Sequence, residues 1–292
     1  MTIDRRKFIS SLGGSILVST LGARAHAAPA ALHERWSDIE AACGGRLGVA
    51  VFRKGALHGN RLDERFPMCS TFKWLAAACV LRRVDAGSED LQRRVHVGSE
   101  VLLPYSPVTE KHAGGSMTVA ELCHAAVAVS DNAAGNLLLA SFGGPKALTG
   151  YARSLGDTVT RLDRWEPELN QSVPGDPRDT TSPRAMAQLL RRNLLGDALS
   201  EAGRRQLTAW MEATVTDGRR LRSGLPGGWR VASKTGTGEH GSTNSVGVFW
   251  TPAGEPIVVA VYIAESAAPL EQRESAIAAV ARRAIDPIVS RR

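Results

Sequence analysis

No stretch of this chain reaches the roughly 18 consecutive apolar residues that a membrane-spanning helix needs, which disfavours an anchored sensor or synthase. There is no fixed repeat period, and the 29 glycines and 14 prolines are spread along the chain, so collagen-like, solenoid and disordered architectures are excluded. Cysteine is sparse. The four thiols, Cys43, Cys69, Cys79 and Cys123, show no C-x-x-C or Cys/His ligand spacing, and three lie in apolar helical context where cysteine behaves as a small hydrophobe. No metal and no other cofactor is expected. A concentrated block of one charge sign is also missing: the net +7 falls to about +4 without the first 27 residues, and pairs such as Arg82-Arg83, Arg93-Arg94 and Arg191-Arg192 sit on mixed stretches that read as solvated helix faces. Nucleic acid is therefore not an expected partner. What is present is a chain of 292 residues, 43% hydrophobic and 22% charged, which is enough for one large or two modest soluble domains and too long for a small disulfide scaffold.

The N-terminus reads as an address. Asp4-Arg5-Arg6-Lys7-Phe8-Ile9 precedes an apolar run from Ile9 to Leu21, and Ala25-His26-Ala27 supplies a small-x-small cleavage pattern. The paired arginines followed by Phe8 resemble a twin-arginine signal, so residues 1–27 are expected to be removed on export to the bacterial periplasm, leaving a mature domain over 28–292.

Within that domain, Leu32 to Cys43 predicts a helix, Leu47 to Phe52 a strand that turns back near Lys54-Gly55, and Ser70 to Asp85 a helix apolar nearly all round and hence buried. Thr118 and Glu121 stand in capping-box spacing, and Ser182-Pro183 places a cap and an N1 proline before Met186. Three β-rich runs, Trp229 to Thr235, Ser242 to Trp250 and Pro256 to Ala264, precede a last helix from Glu271 to about Val289. The economical architecture is α/β (α+β): an antiparallel five-stranded sheet flanked by terminal helices, built from about 28–62 and 213–292, with an all-helical lobe inserted over about 63–212. Gly156 to Thr181 resists this scheme, since it has no sustained period and holds Pro167, Pro174 and Pro177. A loop of that length in a compact domain is functional or disordered.

Ser70-Thr71-Phe72-Lys73 places a hydroxyl and an amine three residues apart at the start of a buried helix, on one face and in the positive potential of its N-terminus. Such a serine becomes a nucleophile when a base takes its proton, and lysine serves only if burial and a nearby cation such as Lys234 depress its pKa. Ser130-Asp131-Asn132 follows 60 residues later between two helical runs, offering a second hydroxyl and an amide, or simply a turn or N-cap. Lys234-Thr235-Gly236 lies on a strand where glycine permits close approach of a ligand and the lysine and threonine present a cation and a donor to an anion. Each tripeptide is weak alone. Their order, on helix, turn and strand, is strong.

With this triple the chain resembles the penicillin-recognising serine acyltransferases, over essentially the whole mature length. Glu166-Pro167-Glu168-Leu169-Asn170 resembles the E-x-x-L-N element of class A serine β-lactamases, which the transpeptidase relatives lack. The resemblance implies a monomeric hydrolase that opens the β-lactam amide of penicillins and cephalosporins and so confers antibiotic resistance, without membrane association after signal removal. It implies that Ser70 is acylated, that Lys73 and Glu166 are the candidate bases, that Ser130 passes a proton to the leaving nitrogen, and that Glu166 and Asn170 hold the deacylating water. The backbone N–H groups of Ser70 and Thr237 would form the oxyanion hole; Lys234, Thr235, Gly236 and Thr237 would grip the substrate carboxylate, Asn132 its side-chain amide, and Tyr105 would wall the entrance. Arg164 and Asp179 match the pair that closes the base of the Ω loop, and that loop uses a cis bond at the place of Glu166-Pro167.

Departures from the family pattern are informative. Asn244 to Trp250 lacks the arginine that some members use on that strand for the substrate carboxylate, and Arg220 resembles the alternative. Cys79 stands two residues past the place of the helix cysteine that many relatives bond to the match of Cys123, a rotation of about 200° that argues against the bridge. Gly238 stands where carbapenem-hydrolysing relatives often bond a cysteine to the match of Cys69, which leaves Cys69 unpaired and argues against efficient carbapenem hydrolysis. The rival readings are a D-Ala-D-Ala carboxypeptidase of the same fold, with Glu166 incidental, and a non-catalytic β-lactam-binding sensor domain. A generic esterase is disfavoured because no G-x-S-x-G elbow surrounds Ser70.

Overall fold

Glycines and prolines punctuate the chain where the sequence places them, as a computed structural model describing residues 29–289 shows. Helix α1 (Pro29–Cys43) stops at Gly44, whose φ of +65° suits glycine, and β1 (Arg46–Arg53) turns back through Lys54 and Gly55 into β2 (Ala56–Asn60). Both turn residues have positive φ and Arg53 faces Ala56, the two-residue hairpin whose twist matches its strands. After β3 (Phe66–Pro67) comes a 3₁₀ turn over Cys69–Thr71 that runs into α2 (Phe72–Asp85). Next come β4 (Arg94–Val97), β5 (Gly115–Thr118) and α3 (Val119–His124), which starts at Thr118 with the expected reciprocal capping box. A π turn over Ala125–Val129 separates α3 from α4 (Asn132–Ser141), and α5 (Gly144–Ser154) leads into the long loop. Beyond it lie β6 (Thr180–Thr181), α6 (Pro183–Leu190), capped by Ser182, and α7 (Glu201–Glu212). The chain closes with β7 (Arg230–Thr237), β8 (Thr243–Trp250), β9 (Pro256–Ala264) and α8 (Leu270–Val289).

The main sheet has the order β2-β1-β9-β8-β7 with every pair antiparallel, so its strands come from both ends of the chain as the sequence predicts. Strand β9 shows why its sequence reads as a continuous apolar run. Val258, Ala260 and Tyr262 face one core, Ile257, Val259, Val261 and Ile263 face another, and the central sheet is buried on both sides. The second core is closed by Trp36 and Ile39 of α1 and by Ile277, Val280 and Ile285 of α8. The first joins the sheet to the helical lobe around α2, where Phe72, Trp74, Leu75, Val80 and Leu81 are buried. Each such side chain contributes about 1.5–3 kcal/mol, so α2 is a rigid support for whatever its first turn carries.

Two expectations need correction. The inserted lobe is not all-helical: β3 pairs with β6 and β4 with β5 in two short ladders, formed by segments of two to four residues too brief to show a strand period. Ser70 does not open the α-helix itself but sits in the preceding 3₁₀ turn, with Cys69 at a φ of +46°. All four cysteines are free and buried, so neither the Cys79–Cys123 nor a Cys69 bridge exists. Burial pushes the Cys69 thiol up to about 12 and the Cys79 thiol to about 11. The proposed signal segment, residues 1–27, lies outside the described residues.

Candidate active site

The Ser70 hydroxyl donates to Glu166 Oε1 at 3.3 Å and accepts from Lys73 Nζ at 3.1 Å. Lys73 Nζ also lies 3.0 Å from Glu166 Oε1 and donates to the Ser130 carbonyl at 2.8 Å and to Asn132 Oδ1 at 2.6 Å. The S-x-x-K spacing and the turn after the π segment therefore bring one hydroxyl, one ammonium and one carboxylate together. Neither Lys73 nor Glu166 has solvent-exposed side-chain surface, and burial lowers the Lys73 pKa against the opposing pull of Glu166. The Lys73 and Lys234 charges repel each other, and the effect stands at Lys234 too. Lys234 is itself lowered well below the ordinary lysine value, first by burial and then by the Lys73 and Arg220 charges.

Lys234 does not line the cleft. Fully buried, it donates to Ser130 Oγ at 2.9 Å and to the Thr235 carbonyl at 2.9 Å, so its charge reaches the cleft through the Ser130 hydroxyl. Ser130 itself has a φ of +68°, as Tyr105 has one of +61°, so three non-glycine residues around the cleft, counting Cys69, hold the left-handed conformation. Such strain persists where the surrounding structure fixes it, as at active sites. Asp131 provides that fixing: its carboxylate caps α4 through Ala134 N and accepts from Val108 N and Thr109 N, while Asn132 N donates to the Tyr105 carbonyl at 3.0 Å.

A cleft of about 590 Å³ is lined by Ser70, Tyr105, Ser130, Asn132, Asn170, Val215, Thr216, Arg220, Thr235, Gly236 and Thr237. Tyr105 is 59% exposed and Val215 71% exposed, and they form apolar parts of its rim. Gly236 serves another purpose than the ligand approach the sequence suggests. A Cβ there would stand 2.8 Å from the Met68 carbonyl, so the missing side chain lets β7 lie against the turn that carries Ser70. Arg220, in the segment before β7, reaches both β7 and β8. Its guanidinium donates to the carbonyls of Gly236 and Asn244, both at 2.9 Å, and to Thr237 Oγ1 at 2.8 Å, with Glu274 of α8 as its counter-ion at 3.2 Å.

The long loop is ordered from within. Asp179 accepts from Asp163 N and Arg164 N and pairs with Arg164 Nε at 2.6 Å, while Glu166-Pro167 is cis, as expected. Asn170 donates to Glu166 Oε2, and Asn136 of α4 brackets the Glu166 backbone, donating to its carbonyl at 2.9 Å and accepting from its N–H at 3.0 Å. Replacing Asp179 with Ala leaves two backbone donors and Arg164, whose side chain is only 15% exposed, without their acceptor. We expect a loss of about 3 kcal/mol, the low end for a broken buried pair, read by urea unfolding. A change below about 0.5 kcal/mol would show that the loop is held by other contacts.

Sequence reasoning missed Asn136, Asp217 and Glu274. Asn136 had a signal, because it follows Asn132 by four residues and so shares its helix face; the other two belong to segments with no motif.

An antiparallel sheet and a helical lobe that close on this hydroxyl, its two buried amines and a loop carboxylate define the class: a serine hydrolase of the β-lactamase/transpeptidase-like fold. The family described as "Beta-lactamase enzyme family" matches residues 31–288, and the chain belongs to that family. It is 43% identical over 254 residues to beta-lactamase OXY-2 of Klebsiella oxytoca, covering 86% of this chain and 88% of that protein. Beta-lactamase Toho-1 of Escherichia coli is 42% identical over 284 residues, covering 97% and 98%. Among solved structures, an ancestral (GNCA) class A beta-lactamase is 58% identical with a TM-score of 0.87, covering 88% of this chain and all of that one. The putative class A beta-lactamase PenP from Rhodopseudomonas palustris is 54% identical with a TM-score of 0.87, covering 88% and 100%.

Proposed function

We propose that the protein hydrolyses the β-lactam amide of penicillins and cephalosporins in two acyl-transfer steps centred on Ser70. The observation that carries this reading is that Glu166 Oε1 faces both Ser70 Oγ and Lys73 Nζ, at 3.3 and 3.0 Å, while Oε2 faces Asn170. In the first step Ser70 Oγ bonds to the lactam carbonyl carbon. Lys73 already directs its protons at Ser70, Ser130 and Asn132, so the leaving proton of the serine hydroxyl faces Glu166. The C–N bond breaks as Ser130 gives its proton to the nitrogen, and the proton that Glu166 took from Ser70 passes on through the buried ammonium groups to the Ser130 oxygen, to which Lys234 donates, so that Glu166 is a carboxylate again. The N–H groups of Ser70 and Thr237 receive the oxyanion, and Arg220, Thr235 and Thr237 line the side of the cleft that takes the substrate carboxylate.

In the second step a water gives a proton to the Glu166 carboxylate as its oxygen attacks the ester carbonyl carbon, and the carbon–Oγ bond then breaks as Glu166 returns that proton to Ser70 Oγ, which is a hydroxyl again. Asn170 Oδ1 is buried and without a hydrogen-bond partner among the described residues, which suits it to accept from that water. In the rival reading, a D-Ala-D-Ala carboxypeptidase, Glu166 is incidental and the penicillin ester is long-lived. Steady-state kinetics with benzylpenicillin therefore test the reading: sustained catalytic turnover is expected, and a stable adduct with release of D-Ala from a D-Ala-D-Ala peptide would overturn it. The export expectation rests on Arg5, Arg6 and the apolar run behind them, and places the enzyme in the periplasm, where β-lactams meet their targets.

A further inference from the structure

Asp217 is a fully buried carboxylate that the reaction scheme leaves without a task. It lies between α7 and β7, and its two oxygens are occupied symmetrically. Oδ1 accepts from Ser245 Oγ at 2.7 Å and Leu221 N at 3.2 Å, Oδ2 from Ser233 Oγ at 2.8 Å and Arg222 N at 3.1 Å. Four donors saturate an ionised carboxylate, and no ion pair to Asp217 occurs among the described residues. Three pieces of the cleft meet at this one group. Ser233 precedes Lys234 on β7, Ser245 follows Asn244 on β8, and Leu221 and Arg222 continue directly from Arg220, whose own N–H donates to the Asp217 carbonyl at 3.0 Å.

We propose that Asp217 is a positioning residue for the reaction: by tying the 217–222 turn to β7 and β8 it fixes the Arg220 guanidinium against Gly236, Thr237 and Asn244, and so sets how tightly the cleft holds a β-lactam's carboxylate. The inference rests on the reading of Arg220 as part of the carboxylate subsite. Position matters here because Arg220 reaches the Gly236 and Asn244 carbonyls and Thr237 Oγ1 at 2.8–2.9 Å, and a displacement near 1 Å breaks all three contacts. The neutral isostere cannot replace the carboxylate. In Asp217→Asn the amide nitrogen faces either Leu221 N–H or Arg222 N–H, a donor against a donor, which forces the turn away from the strands.

The test compares benzylpenicillin with its methyl ester, which keeps the reacting ring and lacks the anion, on the unmodified enzyme, Asp217→Asn and Ser245→Ala. Unmodified enzyme is expected to prefer the acid; equal kcat/KM for acid and ester would remove the carboxylate subsite and the proposal with it, leaving the hydrolase reading intact. Given that preference, Asp217→Asn should lower kcat/KM for the acid about tenfold, through KM, and leave the ester within about twofold. Ser245→Ala removes one donor and keeps the carboxylate, so about a threefold, acid-specific loss is expected; it decides the matter should Asp217→Asn fail to fold. Equal losses for acid and ester, or no loss at all beside a lowered melting temperature, would show that Asp217 only stabilises the fold and would overturn the proposal.

Discussion

Replacing Ser70 with Ala is expected to reduce benzylpenicillin turnover by about a million-fold, while leaving the protein folded. The size follows from removing the only atom that forms the covalent bond, a loss that no second group shares. The fold survives because the Ser70 side chain sits between two partners that also hold each other: Lys73 and Glu166 stay 3.0 Å apart, and Lys73 keeps its bonds to Ser130 and Asn132. Loss of one hydroxyl from that cluster costs about 1 kcal/mol, visible as a small change in the urea midpoint. Ser130 is the other serine hydroxyl lining the cleft, and its Oγ accepts from Lys234. Retained turnover in Ser70→Ala together with its loss in Ser130→Ala would reverse the two roles.

The sheet order was legible because the β-rich runs fall at the two ends of the chain, and α2 because its apolar residues leave no polar face. The two small ladders were not, since residues 66–67 and 180–181 pair across more than a hundred positions and carry no local pattern. In the site, Ser70, Lys73, Ser130, Glu166 and Lys234 are found by motif, and the structure brings all five into one cluster joined by hydrogen bonds and the Lys73–Glu166 pair. What the motif could not convey is how they are connected. Lys234 reads as a cleft cation from its strand position, yet its side chain turns inward to Ser130. Gly236 reads as room for a ligand, yet it makes room for the Met68 carbonyl.

The residues with no sequence signal share a physical character. Asp217 and Glu274 act by bonding groups that are distant along the chain, Ser233 and Ser245 in one case and Arg219 and Arg220 in the other. A lone acid in a stretch without a motif is read as surface by default, and only the fold shows that Asp217 is enclosed. Arg220 falls between the two kinds: the missing arginine on β8 pointed to it, but its contact with the Asn244 carbonyl, on that same strand, became visible only with the fold.

The central claim is that Glu166 drives the second half of the reaction, and the intact mass of Glu166→Ala after mixing with benzylpenicillin tests it most directly. Attack by Ser70 retains Lys73 as a second base at 3.1 Å, whereas Glu166 is the carboxylate that Asn170 bonds among the described residues. Losing a positioned general base costs about 100- to 10,000-fold, so the ester should outlive the measurement. The account predicts a protein heavier by the mass of one penicillin molecule, stable over the measurement, where the unmodified enzyme shows none at steady state. Unmodified mass with near-normal turnover in Glu166→Ala would contradict it.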